Sequence, residues 1–125
     1  MARVLTAVLV VAFALPAVAA ADLDSGVKGQ VTISPTCGGP STPGDDCGPK
    51  GFQTRIRIRT LPDRTIVAER KTGKHGRFRV ALEPGRYRLT RRYTKSWWPS
   101  CPRVEFKVNA HEFTRANLPC DSGLR

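Results

Sequence analysis

From residue 26 onward, apolar and polar residues alternate with a period of two, the pattern of strands with one buried face. Val27, Gly29, Val31 and Ile33 share one side of a first predicted strand, with Lys28, Gln30 and Thr32 on the other. A Pro/Gly/Ser-rich loop follows over residues 35–51. The second strand, 52–59, points Phe52, Thr54, Ile56 and Ile58 inward and Gln53, Arg55, Arg57 and Arg59 outward. After the turn Leu61-Pro62-Asp63-Arg64, a third strand, 65–71, offers Ile66 and Ala68 as its inward pair. The turn Gly73-Lys74-His75-Gly76 leads to a fourth, with Phe78, Val80 and Leu82 inward. Glu83-Pro84-Gly85 turns tightly into a fifth, with Tyr87 and Leu89 inward and Arg86 and Arg88 outward. A sixth strand, 103–108, buries Val104, Phe106 and Val108, and a seventh runs from about Phe113 to Leu118. Helical periodicity is absent beyond the first 21 residues. Seven short strands with recurrent turn signals predict an all-β, two-sheet sandwich.

The first 21 residues follow another rule. Arg3 precedes an apolar stretch from Val4 to Leu15, and Pro16 breaks it before Ala17-Val18-Ala19-Ala20-Ala21. This is the pattern of a secretory signal peptide with an A-x-A cleavage site. The stretch is shorter than the roughly 20 residues a membrane span needs. No cysteine occurs before Cys37, so a lipid-modified N-terminus is not expected. The expected organisation is a leader over 1–21 and one domain over 22–125, exported and soluble.

The chain of 125 residues carries 21 basic and 10 acidic side chains, a net charge of +11. Removing the leader takes Arg3 and no acid, which leaves the domain strongly basic. Four cysteines in an exported chain predict two disulfides, and spacing leaves all three connectivities open. In the chain-entropy picture a Cys37-Cys47 bridge contributes about 2.8 kcal/mol and a Cys101-Cys120 bridge about 3.3 kcal/mol. A structural zinc site needs closely spaced cysteine pairs, which the sequence lacks.

The stretch from Gly76 to Leu89, GRFRVALEPGRYRL, resembles the G-x-F-x-x-x-L-x-P-G-x-Y-x-L signature of carboxypeptidase-regulatory-like domains, which are transthyretin-like (prealbumin-like) sandwiches related to the B-type repeats of Gram-positive adhesins. Gly26 to Val31 is similar to the family's first strand, so the resemblance extends over about Gly26 to Cys120. Its residues have plain physical roles: Phe78, Leu82, Tyr87 and Leu89 face a core, and Pro84 and Gly85 shape a turn. The chain departs from the family at Thr72-Gly73-Lys74-His75-Gly76, where relatives commonly carry acidic residues, and no cation-binding turn is expected there.

The resemblance implies strand order third, second, fifth, sixth in one sheet and fourth, first, seventh in the other. Arg55, Arg57 and Arg59 then lie beside Arg86 and Arg88, with Arg103 and Lys107 on the next strand. Glu69, Lys71 and Glu105 complete that outer face. The same topology gathers all four cysteines at one end. Short secreted bacterial proteins with a similar C-terminus, here Asp121-Ser122-Gly123-Leu124-Arg125, keep the first cysteine pair together, which implies Cys37-Cys47 and Cys101-Cys120.

Two features carry candidate chemistry. Guanidinium groups in a row pair with the phosphates or carboxylates of an extended polymer, and a basic sheet attracts such partners at long range. The plain alternative is a solvated face whose arginines keep the protein soluble. The loop Tyr93-Thr94-Lys95-Ser96-Trp97-Trp98-Pro99 sets three aromatics among basic residues and offers stacking surfaces, unless one tryptophan plugs the sandwich end against Cys101 and Cys120.

Enzyme signatures are missing around His75 and His111: there is no nucleophile elbow, no zinc-peptidase ligand spacing, and no Tyr-Arg-Gly-Ser end of the transthyretin-like hydrolases. Lys28 and Asn117, on the first and last strands, point outward, which argues against an adhesin-type isopeptide bond. The expectation is a non-catalytic module without cofactor or metal. Its expected partners are an anionic envelope polymer or acidic glycan, or else a protein docking on a sheet edge or the Trp97-Trp98 loop, with nucleic acid bound only non-specifically.

Overall fold

The computed structural model describes residues 4, 7–11, 23–40, 44 and 46–124, so most of the expected leader lies outside the described residues. Alternation does produce strands: β1 (Gly26–Ser34), β2 (Lys50–Gly51), β3 (Arg55–Thr60), β4 (Ile66–Lys71), β5 (Arg77–Ala81), β6 (Gly85–Arg91), β7 (Val104–Val108), β8 (Phe113–Arg115) and β9 (Leu118–Asp121). No helix occurs among the described residues.

The strands form two sheets. One is antiparallel throughout, in the order β4-β3-β6-β7. The other is organised around β1, the longest strand. β5 and then β2 pair along one edge of β1, and β8 and then β9 run parallel along the other. Val27, Val31, Ile56, Ile58, Leu89 and Leu118 are almost wholly buried between the sheets. Tyr87 stacks on Phe106 at 5.6 Å between ring centroids, and its hydroxyl donates to the Glu83 carbonyl at 2.5 Å, which closes the β5-β6 turn. Burial, with Glu83 adding, pushes the Tyr87 hydroxyl above its ordinary pKa.

Nine strands stand where seven were expected, for two reasons. Lys50 and Gly51 add a short ladder opposite Ile33 and Thr32. The expected last strand is split at Ala116-Asn117 without losing register, since Lys28 faces Arg115 and Val31 faces Leu118, three residues on along both strands. In the gap the Gln30 amide donates to Asn117 Oδ1 at 3.1 Å, so a side chain replaces a backbone acceptor. Gly29 makes this possible: a Cβ there would stand 1.9 Å from the Ala116 carbonyl oxygen. The Asn117 side chain therefore serves a strand junction.

Two expectations about the core need correction. Ile66 is about half exposed instead of buried, as is Val67. The ladder slips between Ile58 and Arg59, pairing Ile58 with Ala68 but Arg59 with Ile66, and the extra residue turns the start of β4 out of the core. Residues 52–54 also stop short of joining β3. They are held instead by the buried Thr72, whose hydroxyl accepts from the Thr54 amide at 2.9 Å.

Both disulfides, Cys37-Cys47 and Cys101-Cys120, are formed. The first closes the loop after β1, and the second ties the segment before β7 to β9 beside the Ser100-Asp121 bridge.

Candidate functional site: a basic cleft with an aromatic wall

The outer face of β4-β3-β6-β7 is built by register. Arg59 faces Arg88 across β3-β6, Arg57 faces Glu69 across β3-β4, and Arg88 and Arg86 face Glu105 and Lys107 across β6-β7. The two carboxylates divide this face into arginines that are occupied and arginines that are not. Arg57 Nε donates to Glu69 Oε1 at 2.6 Å, and Arg92 reaches the other oxygen at 3.5 Å. Arg88 Nη2 donates to Glu105 Oε1 at 2.9 Å. Glu69 is held below the usual carboxylate range, chiefly by the hydrogen bond from Arg57, and Glu105 by that from Arg88. Among the described residues, no carboxylate lies within ion-pairing distance of Arg59, Arg64 or Arg103.

These free guanidinium groups meet the aromatic loop. A cleft of about 460 Å³ is lined by Arg59, Arg64, Arg88, Arg91 and Arg103, with Thr90, Tyr93, Trp97 and Cys101 completing its wall. Arg64 comes from the β3-β4 turn. Asp63 locks that turn, with one carboxylate oxygen accepting from the Thr60 hydroxyl at 2.5 Å and the other from Thr65 at 2.9 Å, bonds that hold its pKa low. Arg64 itself has the left-handed backbone φ of 61°, unusual for a side chain with Cβ.

Arg91 supports the wall. Its Nη1 donates to the Pro99 carbonyl at 2.5 Å and its Nε to the Thr54 hydroxyl at 3.0 Å, while its guanidinium lies 4.9 Å from the Tyr93 ring centre. The Cys101 amide donates to the Tyr93 hydroxyl at 2.7 Å, and Tyr93 carries Trp97 at 5.9 Å between centroids. The loop is pinned at its base and presents Trp97, 81% exposed.

Neither tryptophan plugs the sandwich end, contrary to one sequence expectation. Trp98 is 52% exposed and lies against Gly123 of the C-terminal segment, which Ser122 fastens by donating to the Pro35 carbonyl at 2.6 Å. Cys120 of the Cys101-Cys120 bridge is itself buried, as is Leu118 two residues before it on β9.

The expected row of cations is thus distributed. Arg59, Arg88 and Arg103 share the cleft with Tyr93 and Trp97. Arg55 lines a separate hollow with Lys71 and Arg92. Arg86 lines another, of about 390 Å³, whose walls include Arg64 and Arg88, so those two arginines border both hollows. Arg57 is engaged by Glu69, Lys107 stands on edge strand β7, and Trp98 lies outside the cleft. Arg88 Nε is buried and, among the described residues, has no hydrogen-bond partner. Arg64 and Arg91 escape sequence reading because one acts through a turn and the other occupies an inward position of β6, opposite Ile56, where alternation predicts a core residue. The TLPDRT stretch, with its hydroxyl-carboxylate-hydroxyl spacing, was the available signal for Arg64.

His75 sits exposed in the β4-β5 turn, and His111 pairs with Asp24. That contact, chiefly its hydrogen bond, raises the His111 pKa.

No family model and no curated protein matches the chain. Among solved structures, the fold is similar to that of the Bacillus anthracis TIE protein, with a TM-score of 0.52 and 12% sequence identity. The likeness covers 78% of this chain and 17% of that one, so the chain spans a small part of that protein's length, and what the two share is a β-rich fold.

Proposed function

We propose that this protein is a secreted, non-catalytic binding module that holds an acidic glycan of the cell envelope in the Arg59-Arg88-Arg103 cleft. The observation that carries the reading is the meeting of unpaired guanidinium groups with an exposed indole in one concavity. A uronate residue presents a carboxylate, which guanidinium groups grip through paired charge-assisted hydrogen bonds, and a sugar ring, whose apolar face fits an aromatic side chain. Two disulfides accord with an oxidising compartment, as does the leader pattern.

For the fold family we favour a carboxypeptidase-regulatory-like, transthyretin-like sandwich. The support is the Gly76-Leu89 signature, the β4-β3-β6-β7 order and the attachment of β5, β8 and β9 to β1. Docking of a protein on the outlying Trp97-Trp98 loop or the half-exposed Ile66-Val67 edge is the second reading, supported by the exposure of those four residues.

The test is titration of the purified protein with a galacturonate octamer at physiological salt. Arg59→Glu with Arg103→Glu should weaken binding at least about tenfold, the effect of losing a charge-assisted hydrogen bond. Arg57→Gln should change it less than about threefold, because Arg57 is engaged by Glu69. Equal effects from the two changes would remove the cleft from the proposal.

A further inference from the structure

The opposite outer face, on β5-β1-β8, is also basic, and its charges are arranged differently. Arg79, Lys28 and Arg115 are register partners across three adjacent strands, and Arg77 stands opposite Gln30 one step along. Strands lie about 4.8 Å apart, so three cations share a row about 10 Å wide. Like charges placed directly opposite each other destabilise a sheet. On the other face that conflict is relieved by a carboxylate on the neighbouring strand. Here no such acid is present: among the described residues, no carboxylate reaches ion-pairing distance of these four cations. Asp24 and Glu112, beyond the Gly26 end, are engaged with His111 and Asn109. Asp121 faces Ser34, six residues along β1 from Lys28, or roughly 20 Å away.

The row is also held in place. The Arg79 guanidinium lies over the Phe113 ring at 3.7 Å from its centre, and Lys28, Gln30, Arg77 and Arg115 rim a shallow hollow of about 370 Å³. A cationic strip with no carboxylate in ion-pairing distance among the described residues fits an extended polyanion lying across the strands. The apolar ring on this face is covered by Arg79, which leaves no free platform for stacking bases.

We infer that the β5-β1-β8 face is a second docking surface for the same class of acidic polysaccharide, so that one molecule bridges two polymer chains held on opposite sides of the sandwich. This rests on the reading of the cleft as a glycan site. Each face contributes separately, and polymer chains presenting many sites engage both at once.

Bridging is measured with polygalacturonate-coated beads at physiological salt, and cleft binding with a fluorescent galacturonate octamer. The protein should agglutinate the beads. Arg77→Glu with Arg115→Glu should abolish agglutination and keep octamer affinity within about threefold, and the milder Arg77→Gln with Arg115→Gln should reduce agglutination with unchanged melting temperature. Octamer binding without agglutination by the unaltered protein overturns the bridging inference alone. Undiminished agglutination by the Arg77/Arg115 variants, or equal loss of octamer binding, also overturns it. Absence of both activities in the unaltered protein overturns the cleft reading as well. Equal agglutination of DNA-coated beads overturns the assignment to a glycan.

Discussion

Both outer faces of this sandwich are built from basic residues at alternating positions of their strands, yet they are electrostatically different surfaces. On β4-β3-β6-β7 the register sets Glu69 opposite Arg57 and Glu105 opposite Arg88, so part of the charge is neutralised internally, while Arg59, Arg64 and Arg103 meet in a cleft beside Trp97. On β5-β1-β8 the register sets cation beside cation, and the surface is shallow and uniform. Net charge describes both equally. The pairing of strands decides which cations are available to a partner.

The strongest way to break this comparison is to remove the scaffold the faces share. Gly76 has φ of 78°, and a Cβ there would stand 2.1 Å from the Val31 carbonyl oxygen. Gly76→Val should cost about 3 kcal/mol or more, the upper end for such backbone strain with a clash added. Urea denaturation measures it, and binding by both faces should fall together. Loss confined to one face would mean that the sheets are stabilised independently.

Leu89→Ala should have a comparable effect. Its side chain is fully buried in β6, and large-to-small changes at such sites cost about 2–5 kcal/mol. The expected signature is a lower urea midpoint with an unchanged slope.

A change at Trp97 separates the faces. Because the indole is exposed, Trp97→Ala should leave stability within about 0.5 kcal/mol. Octamer affinity in the cleft should drop roughly fivefold, which corresponds to about 1 kcal/mol of aromatic contact. Equal affinity would restrict recognition to the arginines.

Smaller effects come from the carboxylates. Glu69→Gln releases Arg57 and Arg92 and should raise the salt concentration needed to elute the protein from a sulfated polysaccharide, without changing the Arg77/Arg115 face. In pH terms, Asp63, Glu69 and Glu105 all have depressed folded pKa values. They contribute stability that is present above the ordinary carboxylate range and lost as pH falls through the depressed values. A Glu69→Gln, Glu105→Gln variant should show a shallower decline in melting temperature on acidification. His111 has the opposite sign: its raised pKa contributes stability below the ordinary histidine value, lost as pH rises through the raised one.

Much of the fold was legible because burial imposes a period of two. Val27, Val31, Ile56, Val80, Leu89 and Val108 could be assigned to the core from parity alone, and they are buried. Parity failed at Ile66, where a bulge depends on the partner strand; at Ala116-Asn117 parity held, but the break in the strand, where a side chain completes the ladder, left no mark in the alternation. The site was legible in kind but not in detail. Alternation revealed Arg55, Arg57 and Arg59, but which of them Glu69 would occupy depended on a cross-strand neighbour. The inclusion of Arg64 depended on the conformation of a turn. The exposure of both tryptophans depended on how Arg91, Tyr93 and the C-terminal segment anchor the loop.

The most direct measurement is octamer binding at physiological salt by two charge-reversed proteins, one altered at Arg59 and Arg103 to glutamate, the other at Arg77 and Arg115. Loss of at least about tenfold in the first, with near-normal affinity in the second, is the expected result. Equal affinities in the two proteins would show that overall charge, and not the cleft, governs binding.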